Sequence, residues 1–277
     1  MSLPTVKADS KEHILSAVKD MTNFNDYKNK YENLRMERTN SGILTVTMHT
    51  NGGSHIHTGK AHREFPDAFG EIARDRQNEV VIFTGAGDKW ISHIDFSTVD
   101  DITQPAGWYA ILTEARQLLY NFLDIGVPVI SAVNGPAPIH GEYALMADII
   151  LAAEEAYFQD NQHLSVGGGV VPADGVQILY PAAMGDIRGH YFLLTMQKLT
   201  AKEALQIGMV NEVHPRDKLL ARANELAQQL LRLDPYTRRY TRLMFTRKLK
   251  RKVIDELSFD MGLEGLSIVS AVKPKNS

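Results

Sequence analysis

Hydrophobic positions along this chain switch repeatedly between two spacings. "GILTVTMHT" (Gly42 to Thr50) alternates β-branched and other residues and predicts a strand. In "GKAHREFPDAFGEIARD" the apolar Ala61, Phe65, Phe69, Ile72 and Ala73 recur at helical spacing. Pro66 is predicted to kink that helix or to mark its true first turn. "VVIFTG" (Val80 to Gly85) and "VPVISAVNG" (Val127 to Gly135) are short apolar runs ended by glycine, as expected of buried strands. Between them, "GWYAILTEARQLLYNFLDI" places Leu112, Ala115, Leu119 and Phe122 on one helical face. "EYALMAD" predicts a short helix and "IILAAEEAYF" a return to strand. Such alternation predicts an α/β sheet covered on both faces.

The last third is helical. Thr200 and Glu203 in "TAKEALQIG" form a capping box, and Gly208 stands where that helix should stop. Two longer helical segments follow, divided at Pro235. The expected organisation is an N-terminal extension over residues 1–30, an α/β core over 31–215 and a helical region over 216–277 that serves oligomerisation or caps its own core.

Composition narrows the chemistry. With 44% hydrophobic and 23% charged residues among 277, the chain can bury a sizeable core. A net charge of -3 gives no support to a nucleic-acid or anionic-membrane partner. The absence of cysteine removes disulfides, thiolate nucleophiles and cysteine-held metals. The first residues lack the apolar core of about 7–15 residues that a secretory signal needs, and no apolar run reaches the ~18 residues of a membrane span. A cytoplasmic location is expected.

"NQHLSVGGGVVPADG" sets His163 and Asp174 on either side of Gly167, Gly168 and Gly169. It lacks the G-x-x-x-x-G-K-[ST] form of a phosphate loop. Its glycines can reverse the chain sharply, which would let a histidine base meet an orienting carboxylate. A surface histidine and an Asp174 helix cap are the plain alternative. "HIH" at 55 to 57 is a poor metal site without further ligands and is expected to line a loop or pocket mouth with His93. The basic "TRKLKRK" reads as a solvated helix face.

"VVIFTGAGDKWISHIDF", "VPVISAVNGPAPIHGEYALMADIILAAEEAYFQ" and "VVPADGVQILYPAAMGDIRGHYFLLTMQKLTAKEALQIGMVNEV" resemble, in order and spacing, the crotonase (enoyl-CoA hydratase/isomerase) superfamily. The resemblance runs from about Tyr31 to the C-terminus. It implies repeated ββα units forming a spiral core, with a C-terminal helical trimerisation region that builds a homotrimer or a dimer of trimers. Two departures stand at the family's oxyanion loops: "SHID" where CoA-handling members carry A-G-x-D, and "PIHG" where they carry three glycines.

The branch that these departures resemble is the β-diketone hydrolases, which cleave a carbon–carbon bond between two carbonyls without CoA. The resemblance assigns catalytic roles to His62, His140, His163, Asp174 and Glu264. It puts His57, Trp90, His93, Ile94, Ile139 and Glu142 around the substrate, with His140 and backbone N–H groups near Ile94 and Ile139 stabilising an oxyanion or enolate. Glu142 matches one glutamate of the hydratases, while His163 stands where their second would be. The implied reaction is a retro-Claisen hydrolysis of a diketone, with no metal or organic cofactor. Two other readings remain open on the sequence: a CoA-thioester hydratase or isomerase, and a non-catalytic binding protein of the same fold.

Overall fold

The computed structural model describes residues 22–271. The extension expected over residues 1–30 lies mostly outside the described residues, and residues 272–277 lie outside them as well. Chain order is α1 (Phe24–Tyr27), β1 (Leu34–Arg38), β2 (Ile43–Met48), β3 (His55–His57), α2 (Gly59–Arg74), β4 (Val80–Gly85) and β5 (Ile91–Ile94). It continues with α3 (Pro105–Leu123), β6 (Val129–Val133), a 3₁₀ helix (Gly141–Met146), β7 (Ile149–Ala153) and β8 (Tyr157–Phe158). The remainder is α4 (Val176–Met184), α5 (Asp186–Thr195), β9 (Leu199–Thr200), α6 (Ala201–Gln206), β10 (Glu212–His214), α7 (Arg216–Leu230) and α8 (Pro235–Ala271).

The main sheet has the order β1-β2-β4-β6-β7-β10. β1 runs antiparallel to β2, and the other pairings are parallel. β4 and β6 occupy its middle, which explains their unbroken apolar sequences: both faces are covered. On one face Phe69 of α2 and Phe122 of α3 meet Phe83 edge-on, at 5.5 and 5.6 Å between ring centroids. On the other, α7 lies across β4, β6 and β7. Burying such rings is the main favourable term in holding the sheet.

Successive repeats place a second, short strand outside the main sheet, and these pair among themselves. β3 pairs parallel with β5, and β8 antiparallel with β9. The α/β architecture of repeated strand–strand–helix units is thus present as expected. Local details differ. Helix α2 runs through Pro66 uninterrupted, with Thr58 as N-cap accepting from Ala61 N. Pro66 stands in the helix interior, where it removes the backbone bond to the His62 carbonyl, and Asn121 from α3 braces the same turn by donating to the Pro66 carbonyl at 2.8 Å. "EYALMAD" forms a 3₁₀ helix, and "IILAAEEAYF" is two strands parted by a turn in which Ala156 N donates to Ala153 O. The Thr200–Glu203 capping box forms as read.

Candidate active site

A pocket of about 100 Å³ opens where the β3–β5 pair, the loop after β6, the glycine turn and the end of α8 converge. Ile94, Phe96, Trp108, Ile111 and Ile268 wall it with apolar surface, and His57, His62, His140, Gln162, His163, Asp174 and Glu264 supply its polar groups. Among these lining residues there is no lysine or arginine. A larger hollow beside Met244, Phe245 and Asp255 has no such convergence of histidines, so the chemistry belongs to the smaller one. α8 closes tightly over the site because Gly265 has no side chain: a Cβ there would stand 2.4 Å from Trp108 Nε1.

His163 is the focus of charge. Its Nδ1 sits 2.8 Å from Asp160 Oδ1, and both residues are buried. A carboxylate there fixes the Nδ1–H tautomer and turns Nε2 toward the pocket. Asp174 Oδ1 and Glu264 Oε1 each lie 3.6 Å from Nε2. Burial opposes charge on His163, but Asp174, Asp160 and Glu264 together outweigh it and hold the imidazole well above its ordinary range. Burial in turn pushes the Glu264 carboxyl up to about 7, against the pull of His163. Asp174 Oδ1 and Glu264 Oε2 are buried with no hydrogen-bond partner among the described residues. Buried acceptors of this kind are suited to a hydrogen-bond donor on a substrate.

The glycine turn builds this corner. Val166 N and Val170 N both donate to the His163 carbonyl, at 3.0 and 3.2 Å, closing a reversal around the glycines. Gly167 has φ +57, and a Cβ on it would reach 2.4 Å from Ala271 O of α8, so only glycine fits. The reversal does bring Asp174 back to His163. It brings it to Nε2, however, and the orienting carboxylate at Nδ1 is Asp160. That corrects the expected His163–Asp174 orienting dyad. Asp160 is legible as the acid three residues before His163; an Asp174 match favoured by resemblance concealed it. Asp174 is not a helix cap either: Gly175 occupies the N-cap of α4.

His140 has φ +45, a left-handed conformation unusual for a residue with a side chain. Its Nδ1 is 2.8 Å from Glu142 Oε1, 3.0 Å from Gln162 Nε2 and 3.7 Å from Asp174 Oδ2. Burial works against its charge, yet Glu142 and Asp174 outweigh burial and raise it. Burial raises the Glu142 carboxyl. The ring stacks on Tyr143 at 4.7 Å. Its backbone N–H donates to Gln162 Oε1 at 2.7 Å, which removes it from the oxyanion donors. The donor this loop offers is the imidazole. His140, Glu142 and Asp174 also present atoms within 4.8 Å of one another, a spacing that could hold a metal ion once the His140–Glu142 proton is lost.

The far wall carries a second pair. His62 Nδ1 lies 2.6 Å from Glu114 Oε2 of α3, a partner with no signal in the sequence. His57 lines the pocket and is buried. Other expected contacts fall elsewhere. Trp90 is in the core, fully buried, and donates to the His140 carbonyl at 2.9 Å, so it supports the loop from behind. His93 is exposed beside Ser92 and does not line the pocket. Glu142 and Ile139 do not line it either: Glu142 backs His140, and Ile139 packs into the core. Ile94 does line it, opposite His57 in the β3–β5 register. Sequence reasoning does not reach Gln162, which accepts from the His140 backbone N–H and donates to Asp174 Oδ2 at 2.9 Å. A neutral amide between two charged groups carries no sequence signature.

A family described as enoyl-CoA hydratase/isomerase matches residues 38–270. A β-diketone hydrolase from the cyanobacterium Anabaena sp. PCC 7120, solved bound to (S)-3-oxocyclohexyl acetic acid, is 51% identical with a TM-score of 0.86, covering 88% of this chain and 97% of that one. An enoyl-CoA hydratase from Mycobacterium avium subsp. paratuberculosis is 25% identical with a TM-score of 0.73, covering 87% and 91%. A carnitinyl-CoA dehydratase from Salmonella arizonae is 34% identical over 216 residues, 74% of this chain and 76% of its own.

Proposed function

We propose that this chain, which belongs to the enoyl-CoA hydratase/isomerase family, is a β-diketone hydrolase that cleaves the bond between two carbonyls with water. The observation that carries the reading is His163: Nδ1 held by Asp160, Nε2 facing Asp174 and Glu264, in an apolar pocket lined by no lysine or arginine. Such a pocket suits a neutral substrate and an activated water. The 51% identity to a β-diketone hydrolase supports the same choice.

His163 and Glu264 share a proton as a coupled pair. In the state with the proton on Glu264, His163 Nε2 takes a proton from water, and Asp160 and Asp174 stabilise the imidazolium. The hydroxide adds to one carbonyl carbon. The carbon–carbon bond then breaks, its electron pair passing into an enolate whose oxygen is met by the His140 imidazole. Stabilising such an oxyanion is worth about 10²–10³ in rate per donor. Glu264 gives its proton to the enolate carbon, yielding a ketone and a carboxylic acid. His163 returns its proton to Glu264 and the site is reset. His62, with Glu114 behind it, positions a carbonyl. The acid product loses its proton to bulk water, and repulsion from the Asp174 carboxylate favours its departure. A homotrimer or dimer of trimers is part of this proposal; on α5 it would cover Ile187 and Leu194, 82% and 73% exposed here.

The test is a panel of cyclic diketones followed by loss of diketone absorbance, with crotonyl-CoA and carnitinyl-CoA as alternatives. Hydrolysis of a diketone that falls at least 10²-fold in His163→Ala is expected. Steady turnover of a CoA thioester with none of any diketone would overturn the reading in favour of the dehydratase-like activity of the Salmonella relative.

A further inference from the structure

His57 has a direction that the mechanism above does not use. It is buried, it lines the pocket, and its Nε2 has no hydrogen-bond partner among the described residues. Its Nδ1 lies 3.3 Å from His55 Nε2. His55 Nδ1 in turn lies 3.4 Å from the His49 carbonyl oxygen, which can only accept. The Thr50 hydroxyl, 3.5 Å from that same nitrogen, has its own acceptor in the Ile56 carbonyl at 3.5 Å.

These contacts assign the two tautomers in sequence. His55 donates from Nδ1 to the His49 carbonyl. Burial lowers His55 to about 4, so the ring is neutral near pH 7 and its Nε2 carries a lone pair. His57 must then donate from Nδ1. The two nitrogens of His57 meet only His55 Nε2 among the described residues, and no carboxylate pairs with the ring to hold a second proton. Its remaining nitrogen, Nε2, therefore carries a buried lone pair with no partner among the described residues, on a ring that lines the pocket. The opposite order would set a lone pair of His55 against the His49 carbonyl. Two imidazoles in series thus carry the acceptor character of a backbone carbonyl into the pocket.

We infer that His57 Nε2 is a specificity-determining acceptor, and that the substrate is a β-diketone carrying an alcohol hydroxyl that it donates there. The inference rests on reading this pocket as the diketone site. A carbonyl oxygen would meet lone pair with lone pair at His57, so the diketone oxygens face the His140 imidazole, which its carboxylate neighbours keep protonated, and the hydroxyl takes the wall at His57. A hydroxyl-lacking analogue leaves this buried acceptor unpaired, which is the situation that discriminates most strongly between otherwise isosteric ligands.

Two measurements test this on the full chain. Nitrogen NMR of histidine-labelled protein should show His57 protonated at Nδ1 and bare at Nε2; protonation at Nε2 would overturn the inference. In the second, β-hydroxycyclohexanone and its methyl ether are compared as ligands, since neither contains a bond between two carbonyls to cleave. The alcohol should bind about tenfold more tightly to the native protein, and His57→Phe should abolish that preference. Equal binding of alcohol and ether, or a preference that survives in His57→Phe, would overturn it. If His57→Phe does not fold, the native comparison and the NMR decide alone. Diketone hydrolysis without any hydroxyl preference sinks this inference and spares the hydrolase reading. Failure to hydrolyse any diketone sinks the hydrolase reading, while the tautomer and the alcohol preference are still read from binding.

Discussion

The two ends of the pocket hold buried histidines that burial alone would treat alike, and they end up on opposite sides of neutrality. At one end Asp160, Asp174 and Glu264 surround His163, and its imidazole is held well above the ordinary range. At the other, His55 and His57 have each other and a carbonyl for company, and both are lowered. Desolvation penalises charge at both sites; the sign of the nearest partner decides which wins. One fold thereby supplies a proton reservoir and, beside it, a neutral acceptor.

Asp160→Asn should break the first end most severely. It removes the charge that holds His163 Nδ1 at 2.8 Å, and kcat on a diketone should fall by about 10³ with the His163 titration moved downward. An unchanged His163 titration would show that Asp174 is the orienting group after all. Glu264→Gln should cost about 10² in kcat. Because its carboxyl titrates at about 7, the native enzyme should lose activity as pH rises through that value. The variant should lack that limb, and a native alkaline limb that survives in it would remove Glu264 from the proton-return step.

Stability sharpens the contrast. His55 is lowered from 6.5 to about 4, so its contribution is present above 6.5 and is lost as pH falls toward 4, where the unfolded chain takes up the proton. The loss should reach about 3 kcal/mol, and His55→Phe should remove it from a series of denaturation curves. Glu264 carries the opposite sign: a raised carboxyl stabilises at low pH, and that contribution disappears as pH rises through about 7. The smallest effect is expected from Glu114→Gln, which weakens the 2.6 Å contact to His62 and should lower kcat/KM about tenfold, chiefly through KM. A pure kcat effect would move His62 from positioning the carbonyl into the chemistry.

Much of the fold was written in local pattern. β2, β4 and β6 follow from alternation or from unbroken apolar runs, because a strand covered on both faces needs apolar side chains on both. The short strands β3 and β5 carry no such signal. Three or four residues give too little periodicity, and their pairing joins segments more than thirty residues apart. The site divides in the same way. His163, His140, His62, Asp174 and Glu264 were named from the sequence and do line one pocket. Trp90, Glu142, His93 and Ile139 were named too, yet they stand behind it, beside it or in the core.

The sequence by itself determined the kinds of groups present: ten histidines, no thiol, glycines where α8 and the turn after His163 must close, and apolar strands to hold them. Only the tertiary structure decided which carboxylate meets which ring nitrogen. Asp160 and Asp174 are both near His163 in sequence, and spacing cannot tell Nδ1 from Nε2. Nor can it tell which histidine acquires carboxylate neighbours and which acquires another histidine. Proton affinity in a buried site depends on contacts a few ångströms long between segments distant along the chain, and those contacts exist only once the chain has folded.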